Sequence, residues 1–199
     1  MKITKTFTAE LGHKIFSNIH TPCKNIHGHS YKIELTLEGS PVNQANMVLD
    51  FAGMKDCIKP FIESFDHCML FCQYDNPDYI NFIKNNCHRW ISVPFNCSCE
   101  MMALMIFRFC QEILNYTEFS NGETPKVSSV TVWETATGRC TVDEEDIKKY
   151  YNDLWMIQTS FSDSIVKEWP KELKNIFIGE PKSYKTKKVP CEVKLPGIC

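Results

Sequence analysis

Residues 23–31 read CKNIHGHSY, so one thiol is followed, four residues later, by two histidines that flank a single glycine. On an extended strand, residues two positions apart point to the same face, and His27 and His29 can therefore present two imidazoles side by side. Imidazole nitrogen is a common zinc ligand, and catalytic zinc sites usually combine three protein ligands with one open position. The stretch predicts part of a metal site, although a histidine taken alone is usually an ordinary core or surface residue.

The residues after His27 alternate between apolar and polar side chains as far as Glu38. This alternation predicts a half-buried strand, with both histidines at the start of its apolar face. Residues 2–13 alternate more weakly and predict a second strand that ends at His13. His13 is therefore the candidate third ligand. A set of three histidines would leave zinc one position for water or substrate, where the metal can polarise a hydroxyl or carbonyl group.

Other positions offer reactive side chains, each with a plain structural alternative. Cys23 is either a structural thiol or, beside a metal, a ligand, base or nucleophile. Asp66 and His67 are adjacent, and a carboxylate can fix the tautomer of a histidine that transfers protons, although such pairs also occur by chance. Glu134 ends an apolar strand, where a carboxylate needs N–H donors from a ligand if it is buried and only solvent if it is exposed.

The composition indicates one globular domain, predicted to span residues 1–150, followed by a C-terminal extension over 151–199 that packs in part and ends in a basic tail. Of the 199 residues, 43% are hydrophobic and 23% charged, and the net charge is −2. We therefore expect no nucleic-acid partner, and the lack of a long apolar run argues against a membrane. Eleven cysteines would suit a secreted disulfide scaffold, but the odd count and the missing signal peptide favour a reducing cytoplasm.

The rest of the chain predicts an α+β domain. Apolar residues at steps of three and four predict one helix that begins after Asp50 and a second that begins near Ser98. Between them, residues 71–95 are interpreted as a long irregular connection. Two short strands follow within residues 130–142. The order ββααββ predicts an antiparallel sheet.

Taken together, these segments resemble the 6-pyruvoyl-tetrahydropterin synthase and 6-carboxy-tetrahydropterin synthase family. The resemblance covers residues 3–143 and rests on six short motifs that occur in the family's order. These motifs are Phe7–His13, Cys23–His29, Val48–Phe51, Phe65–His67, Ser98–Glu100 and Glu134–Gly138. One such motif would be weak evidence for the family, whereas six in the family's order are a specific signal.

The resemblance implies a tunnelling fold, or T-fold, which is a four-stranded antiparallel sheet with two helices on one face. Subunits of this kind commonly form homohexamers with active sites between subunits, and the implied substrate is 7,8-dihydroneopterin triphosphate. The glutamate at position 134 would match the paired N–H donors of the pterin's amino-pyrimidinone edge. The implied site residues are His13, His27 and His29 for Zn²⁺, Cys23, Asp66 and His67 for catalysis, and Glu134, Thr135 and Glu100 for pterin binding.

The four-residue step from Cys23 to His27 resembles the 6-carboxy type, because the pyruvoyl type has a longer spacing there. The expected reaction is zinc-dependent conversion of 7,8-dihydroneopterin triphosphate to 6-carboxy-5,6,7,8-tetrahydropterin, on the route to queuosine, with release of acetaldehyde and triphosphate. Three alternatives stay open. They are a 6-pyruvoyl-tetrahydropterin synthase of the tetrahydrobiopterin route, a non-catalytic zinc- or pterin-binding protein of the same fold, and a cysteine hydrolase with a Cys/His dyad.

Overall fold

The computed structural model describes residues 1–16, 22–40, 47–119 and 123–179. Within these ranges the strands are β1 (Lys2–His13), β2 (His27–Glu38), β3 (Cys68–Cys72), β4 (Trp90–Val93), β5 (Lys126–Trp133), β6 (Arg139–Asp143) and β7 (Ser160–Phe161). The helices are α1 (Phe51–Ile62), α2 (Pro77–Asn86), α3 (Cys99–Asn115), α4 (Glu144–Tyr150), α5 (Leu154–Gln158), α6 (Asp163–Glu168) and α7 (Lys171–Phe177). Single 3-10 turns occur at Pro22–Lys24 and Glu63–Phe65.

The strands β1 and β2 form a long antiparallel pair at the centre of the sheet. Their register places Lys2 opposite Glu38 at one end and His13 opposite His27 at the other. Alternate residues of β2 from Tyr31 onwards are buried. Both predicted strands are therefore confirmed, including the apolar face that begins beside the histidines.

The two predicted helices also begin where the sequence indicated. The side chain of Asp50 accepts a hydrogen bond from the amide of Ala52 at 2.9 Å, which caps α1. Ser98 caps α3. The two helices pack on each other through the stacked rings of Phe61 and Phe109, whose centroids are 5.3 Å apart. The same core contains the buried face of β2 and β5.

The prediction of a four-stranded antiparallel sheet was wrong. The described residues form a mixed, seven-stranded sheet in the order β6-β5-β2-β1-β3-β4-β7. Four neighbours, β6-β5-β2-β1, are antiparallel, but β3 is parallel to both β1 and β4. The order ββααββ is therefore interrupted between α1 and α3 by the unit β3-α2-β4.

The interpretation of residues 71–95 as an irregular connection was also wrong, for a physical reason. All five residues of β3 are buried, because Cys68, Leu70 and Cys72 join the main core while alternate residues pack in a second cluster with Ile83 of α2. A strand that is covered on both faces has apolar residues at successive positions, so the sequence does not show the two-residue alternation that marks a half-buried strand. The pair Asn76–Pro77, interpreted as a loop, is the N-cap and first turn of α2.

The segment after residue 150 packs against the same core as far as it is described. Strand β7 pairs with β4, and three side chains are buried, which are Ile165 of α6, Leu173 of α7 and Trp169 in the two-residue link between these helices. The proposed domain limit at residue 150 stays a prediction, and the basic tail lies outside the described residues. No helix in the described part of the chain combines the length and apolarity needed to cross a membrane.

Candidate active site

The paired strands bring three histidines together. The candidate ligand atoms of His13, His27 and His29 all lie within 4.8 Å of one another. His13 and His27 are directly opposite in the register, and His29 follows two residues later on the same face of β2. The geometry matches a three-ligand metal site, and it follows from strand pairing alone.

Backbone carbonyls orient two of the rings. The Nδ1 atom of His13 donates to the carbonyl of Cys97 at 2.7 Å, and the Nδ1 atom of His27 donates to the carbonyl of Asn25 at 2.8 Å. A carbonyl only accepts, so each of these two rings carries its proton on Nδ1, and Nε2 is left as the atom that could bind a metal. Burial lowers the pKa of His13, and the neighbouring His27 and His29 lower it further, which keeps the ring neutral and able to ligate.

A close approach of β1 and β2 accounts for the glycine between the two histidines. Gly28 lies opposite Gly12, between the His13–His27 pair and the Leu11–His29 pair. A Cβ atom at Gly28 would lie only 3.0 Å from the carbonyl oxygen of Leu11. Since the strands are this close, the motif tolerates little but glycine between its imidazoles.

Sequence reasoning missed the role of Tyr31. Its buried hydroxyl donates to Oε1 of Glu134 at 3.1 Å and lies 3.2 Å from Nε2 of His13. Burial and the facing Glu134 carboxylate raise the pKa of Tyr31, so the hydroxyl stays protonated and remains a donor. The only available signal was its position two residues after His29 on the apolar face.

Glu134 faces the histidine cluster from the end of β5. Its Oε1 atom lies 3.6 Å from Nε2 of His13 and 3.9 Å from Nε2 of His29, and its side chain is about one-third exposed. The following turn is closed by Thr135, whose Oγ1 accepts from the amide of Gly138 at 2.8 Å. The hydroxyl of Thr135 thus fixes the turn that carries Glu134.

Two other predicted site residues, Cys23 and Glu100, lie in the turns that precede β2 and begin α3. Cys23 belongs to the 3-10 turn before β2 and is partly exposed, and its carbonyl accepts from the amide of Ile15 at 2.8 Å. Glu100 is exposed in the first turn of α3, beside Cys99, whose thiol donates to the carbonyl of Val132 on β5.

Asp66 and His67 form the predicted pair but lie apart from the histidine cluster. The Nδ1 atom of His67 donates to Oδ2 of Asp66 at 2.9 Å, and 76% of the His67 side chain is exposed. The pair precedes β3, which neighbours β1 on the edge away from β2. The amide of His67 donates to the carbonyl of Glu10 on β1. Glu10 is three residues from His13, which places the two Cα atoms about 10 Å apart along the strand. Within the described residues, no hydrogen bond, ion pair or ring contact joins the pair to the three histidines.

The chain is similar in sequence to two Helicobacter pylori proteins that share one name. It is 43% identical over 116 residues to a Helicobacter pylori protein named 6-carboxy-5,6,7,8-tetrahydropterin synthase, a match that covers 58% of each chain. A protein of the same name from a second H. pylori strain is 37% identical over 163 residues, covering 80% of this chain and 82% of the relative.

A solved structure of an uncharacterised protein from Wolinella succinogenes superposes with a TM-score of 0.58 at 22% identity, over 72% of this chain and 98% of that chain. This likeness concerns the fold alone. The family model described as 6-pyruvoyl tetrahydropterin synthase matches residues 2–145. On the breadth of that match, together with the H. pylori relatives, the chain belongs to the 6-pyruvoyl tetrahydropterin synthase family.

Proposed function

We propose that this protein is a zinc-dependent lyase that converts 7,8-dihydroneopterin triphosphate and water to 6-carboxy-5,6,7,8-tetrahydropterin, acetaldehyde and triphosphate. The names of the two H. pylori relatives support this choice of product. The four-residue step between Cys23 and His27 supports it as well. The match to the first relative spans 58% of that protein's length, so the activity is carried over here as a proposal.

The observation that carries the proposal is the approach of Glu134 to the histidine cluster, where its Oε1 atom lies 3.6 Å from Nε2 of His13 and 3.9 Å from Nε2 of His29. The donor set suits zinc, because imidazole nitrogen is a common zinc ligand and backbone carbonyls hold the Nδ1 atoms of His13 and His27. Zinc bound there would supply a Lewis acid for the oxygen atoms of the substrate side chain. Glu134 would accept from the paired N–H groups of the pterin, with the hydroxyl of Tyr31 holding its carboxylate in place.

Proton transfer falls to Cys23 and His67 in this proposal. Asp66 accepts from Nδ1 of His67, which leaves Nε2 of that ring free to take or give a proton. Each well-placed acid or base contributes about 10²–10⁴-fold to the rate.

The separation of the Asp66–His67 pair from the histidine cluster supports an active site built between subunits. His67 is largely exposed and does not contact the histidine cluster of its own chain within the described residues. A homohexamer, or a smaller ring, would place this pair against the cluster of a neighbouring copy. All nine cysteines in the described part of the chain are free thiols, which supports a cytoplasmic location.

The test is incubation of the zinc-loaded chain with 7,8-dihydroneopterin triphosphate, with product identification by mass spectrometry and parallel measurement of acetaldehyde. We expect one acetaldehyde for each 6-carboxy-tetrahydropterin formed. Triphosphate release without acetaldehyde, together with a 6-pyruvoyl product, would assign the protein to the other activity in the family. Pterin binding without turnover would leave a binding protein.

A further inference from the structure

Arg89, just before β4, contacts the turn that carries Asp66 and His67. Its Nε atom donates to the carbonyl of Asp66 at 2.9 Å, and Nη2 donates to the carbonyl of Glu63 at 2.8 Å. The remaining Nη1 atom bonds to the carboxylate of Glu168 in α6. One guanidinium therefore joins both ends of the turn to the C-terminal extension, using the planar fork of donors that only arginine offers.

The contact acts on the peptide that sets the direction of His67. His67 has φ of 52°, the only positive φ of a non-glycine residue in the described chain, and this left-handed conformation is unfavourable for a side chain with a Cβ atom. The peptide between Asp66 and His67 is held at both ends, since its carbonyl accepts from Arg89 and its N–H donates to the carbonyl of Glu10 at 2.7 Å. Rotation of that peptide would move the ring of His67.

The C-terminal extension holds the segments on both sides of this turn. The amide of Ser162 donates to the carbonyl of Trp90 at 3.0 Å, and the amide of Trp90 donates to Oγ of Ser162 at 3.2 Å. The buried indole of Trp169 donates to Oγ of Ser64 at 2.7 Å. With Glu168 on Arg89, the extension is bonded to the residue after Arg89 and to the 3-10 turn before Asp66.

We propose that Arg89, held by Glu168 of the C-terminal extension, is a positioning residue that fixes the orientation of His67 through the Asp66–His67 peptide. The proposal deepens the proposed function and rests on it for the role of His67 in proton transfer. It gives the C-terminal extension a role, which is to hold the Asp66–His67 turn in place.

A matched control exists on α3. Arg108 also joins the core to the extension, with Nε donating to Asp153 at 3.2 Å and Nη1 donating to Glu112 at 3.0 Å. Both arginines are partly buried and paired with acids, but among its contacts in the described chain Arg108 has none to the Asp66–His67 turn. Loss of Arg108 therefore reports the general effect of loosening the extension.

The first test compares Arg89→Gln with Arg108→Gln in the full-length, zinc-loaded chain. For Arg89→Gln we expect kcat to fall by about 10–100-fold, because small misplacements of a reacting group cost about that much. KM and zinc content should stay within about twofold of the wild-type values. Arg108→Gln should leave kcat nearly unchanged. Equal losses of kcat in the two variants would overturn the proposal.

A double-mutant cycle separates positioning of His67 from a general structural effect. If Arg89 acts through His67, then Arg89→Gln should cause little further loss of kcat once His67 is replaced by Gln. Losses that multiply in the double variant would show that Arg89 works by another route and would contradict the proposal.

A readout without turnover keeps this proposal distinguishable from the proposed reaction. The amide of His67 should exchange with solvent faster in Arg89→Gln than in Arg108→Gln, because the peptide loses one of its two anchors. Should Arg89→Gln fail to fold, Glu168→Gln takes its place, with Asp153→Asn as its control. Faster exchange in Arg89→Gln or Glu168→Gln than in the matched control supports the positioning role of Arg89, even if the wild type makes no pterin product. Equal exchange in a variant and its control overturns the proposal.

Discussion

The histidine cluster lies at the end of the β1–β2 pair, the Asp66–His67 turn lies beside Glu10 of β1, and the two are held in different ways. The cluster is carried by two paired strands, and backbone carbonyls orient two of its rings, those of His13 and His27. The turn is exposed, contains a residue with positive φ, and is held by bonds from β1, from Arg89 and from the C-terminal extension. The cluster thus depends on regular secondary structure, whereas the turn depends on contacts from several distant segments.

This difference indicates that the two regions can be damaged separately. Loss of a histidine should abolish metal binding without affecting the turn, and loss of a turn contact should lower turnover without affecting the metal.

The largest effect is expected for His27→Ala. Removal of one of three ligands should lower zinc affinity by more than about 100-fold, since even second-layer changes cost about 10–100-fold, and activity should disappear with the metal. Zinc content after dialysis measures the effect. His88→Ala is the control, because His88 lies outside the cluster. Retention of stoichiometric zinc by His27→Ala would show that the cluster is not the metal site.

Cys23→Ala should have the next largest effect. If the thiol transfers protons beside the metal, turnover should fall by about 10²–10⁴-fold while zinc content is unchanged. The measurement pairs kcat with metal analysis of the same sample. Zinc lost together with activity would make Cys23 a fourth ligand and extend the cluster to the 3-10 turn before β2.

Tyr31→Phe should have a moderate effect confined to the cluster. The variant removes the hydroxyl that donates to Glu134 but keeps the buried ring, so the carboxylate loses a charge-assisted hydrogen bond. We expect KM for the pterin substrate to rise by about tenfold, with kcat changed less. An unchanged KM would indicate that Glu134 does not need this donor.

Acid unfolding of Asp66→Asn tests the turn and should give the smallest effect. The Glu10 N–H bond, followed by the neighbouring His67, lowers the pKa of Asp66. Its stabilising contribution is therefore complete above the ordinary aspartate pKa of about 3.9 and is lost as pH falls through the lower folded value. The wild type should lose unfolding free energy more steeply than Asp66→Asn below about pH 4, by a small amount because the carboxylate is partly exposed. Parallel urea-unfolding curves across that range would contradict the assigned contact.

The same contrast explains how much the sequence could predict. Strands β1 and β2 are each buried on one face, so apolar and polar residues alternate along them with a period of two. The histidines at the ends of the buried faces predicted the cluster. Strand β3 is buried on both faces, so its pattern resembled an irregular apolar segment and the parallel part of the sheet was missed. The bonds from Arg89 to two backbone carbonyls have no sequence pattern, since backbone acceptors exist at every position.

The central claim is that the cluster and the turn of one chain belong to different active sites, each completed by a neighbouring subunit. Mixed oligomers of Cys23→Ala and His67→Gln chains test it most directly. Each variant alone should be nearly inactive, while random mixing should restore about a quarter of the wild-type sites, because each site draws on two chains. Activity that remains at the level of the separate variants, in oligomers shown to be mixed, would place both groups in the active site of a single chain and contradict the account.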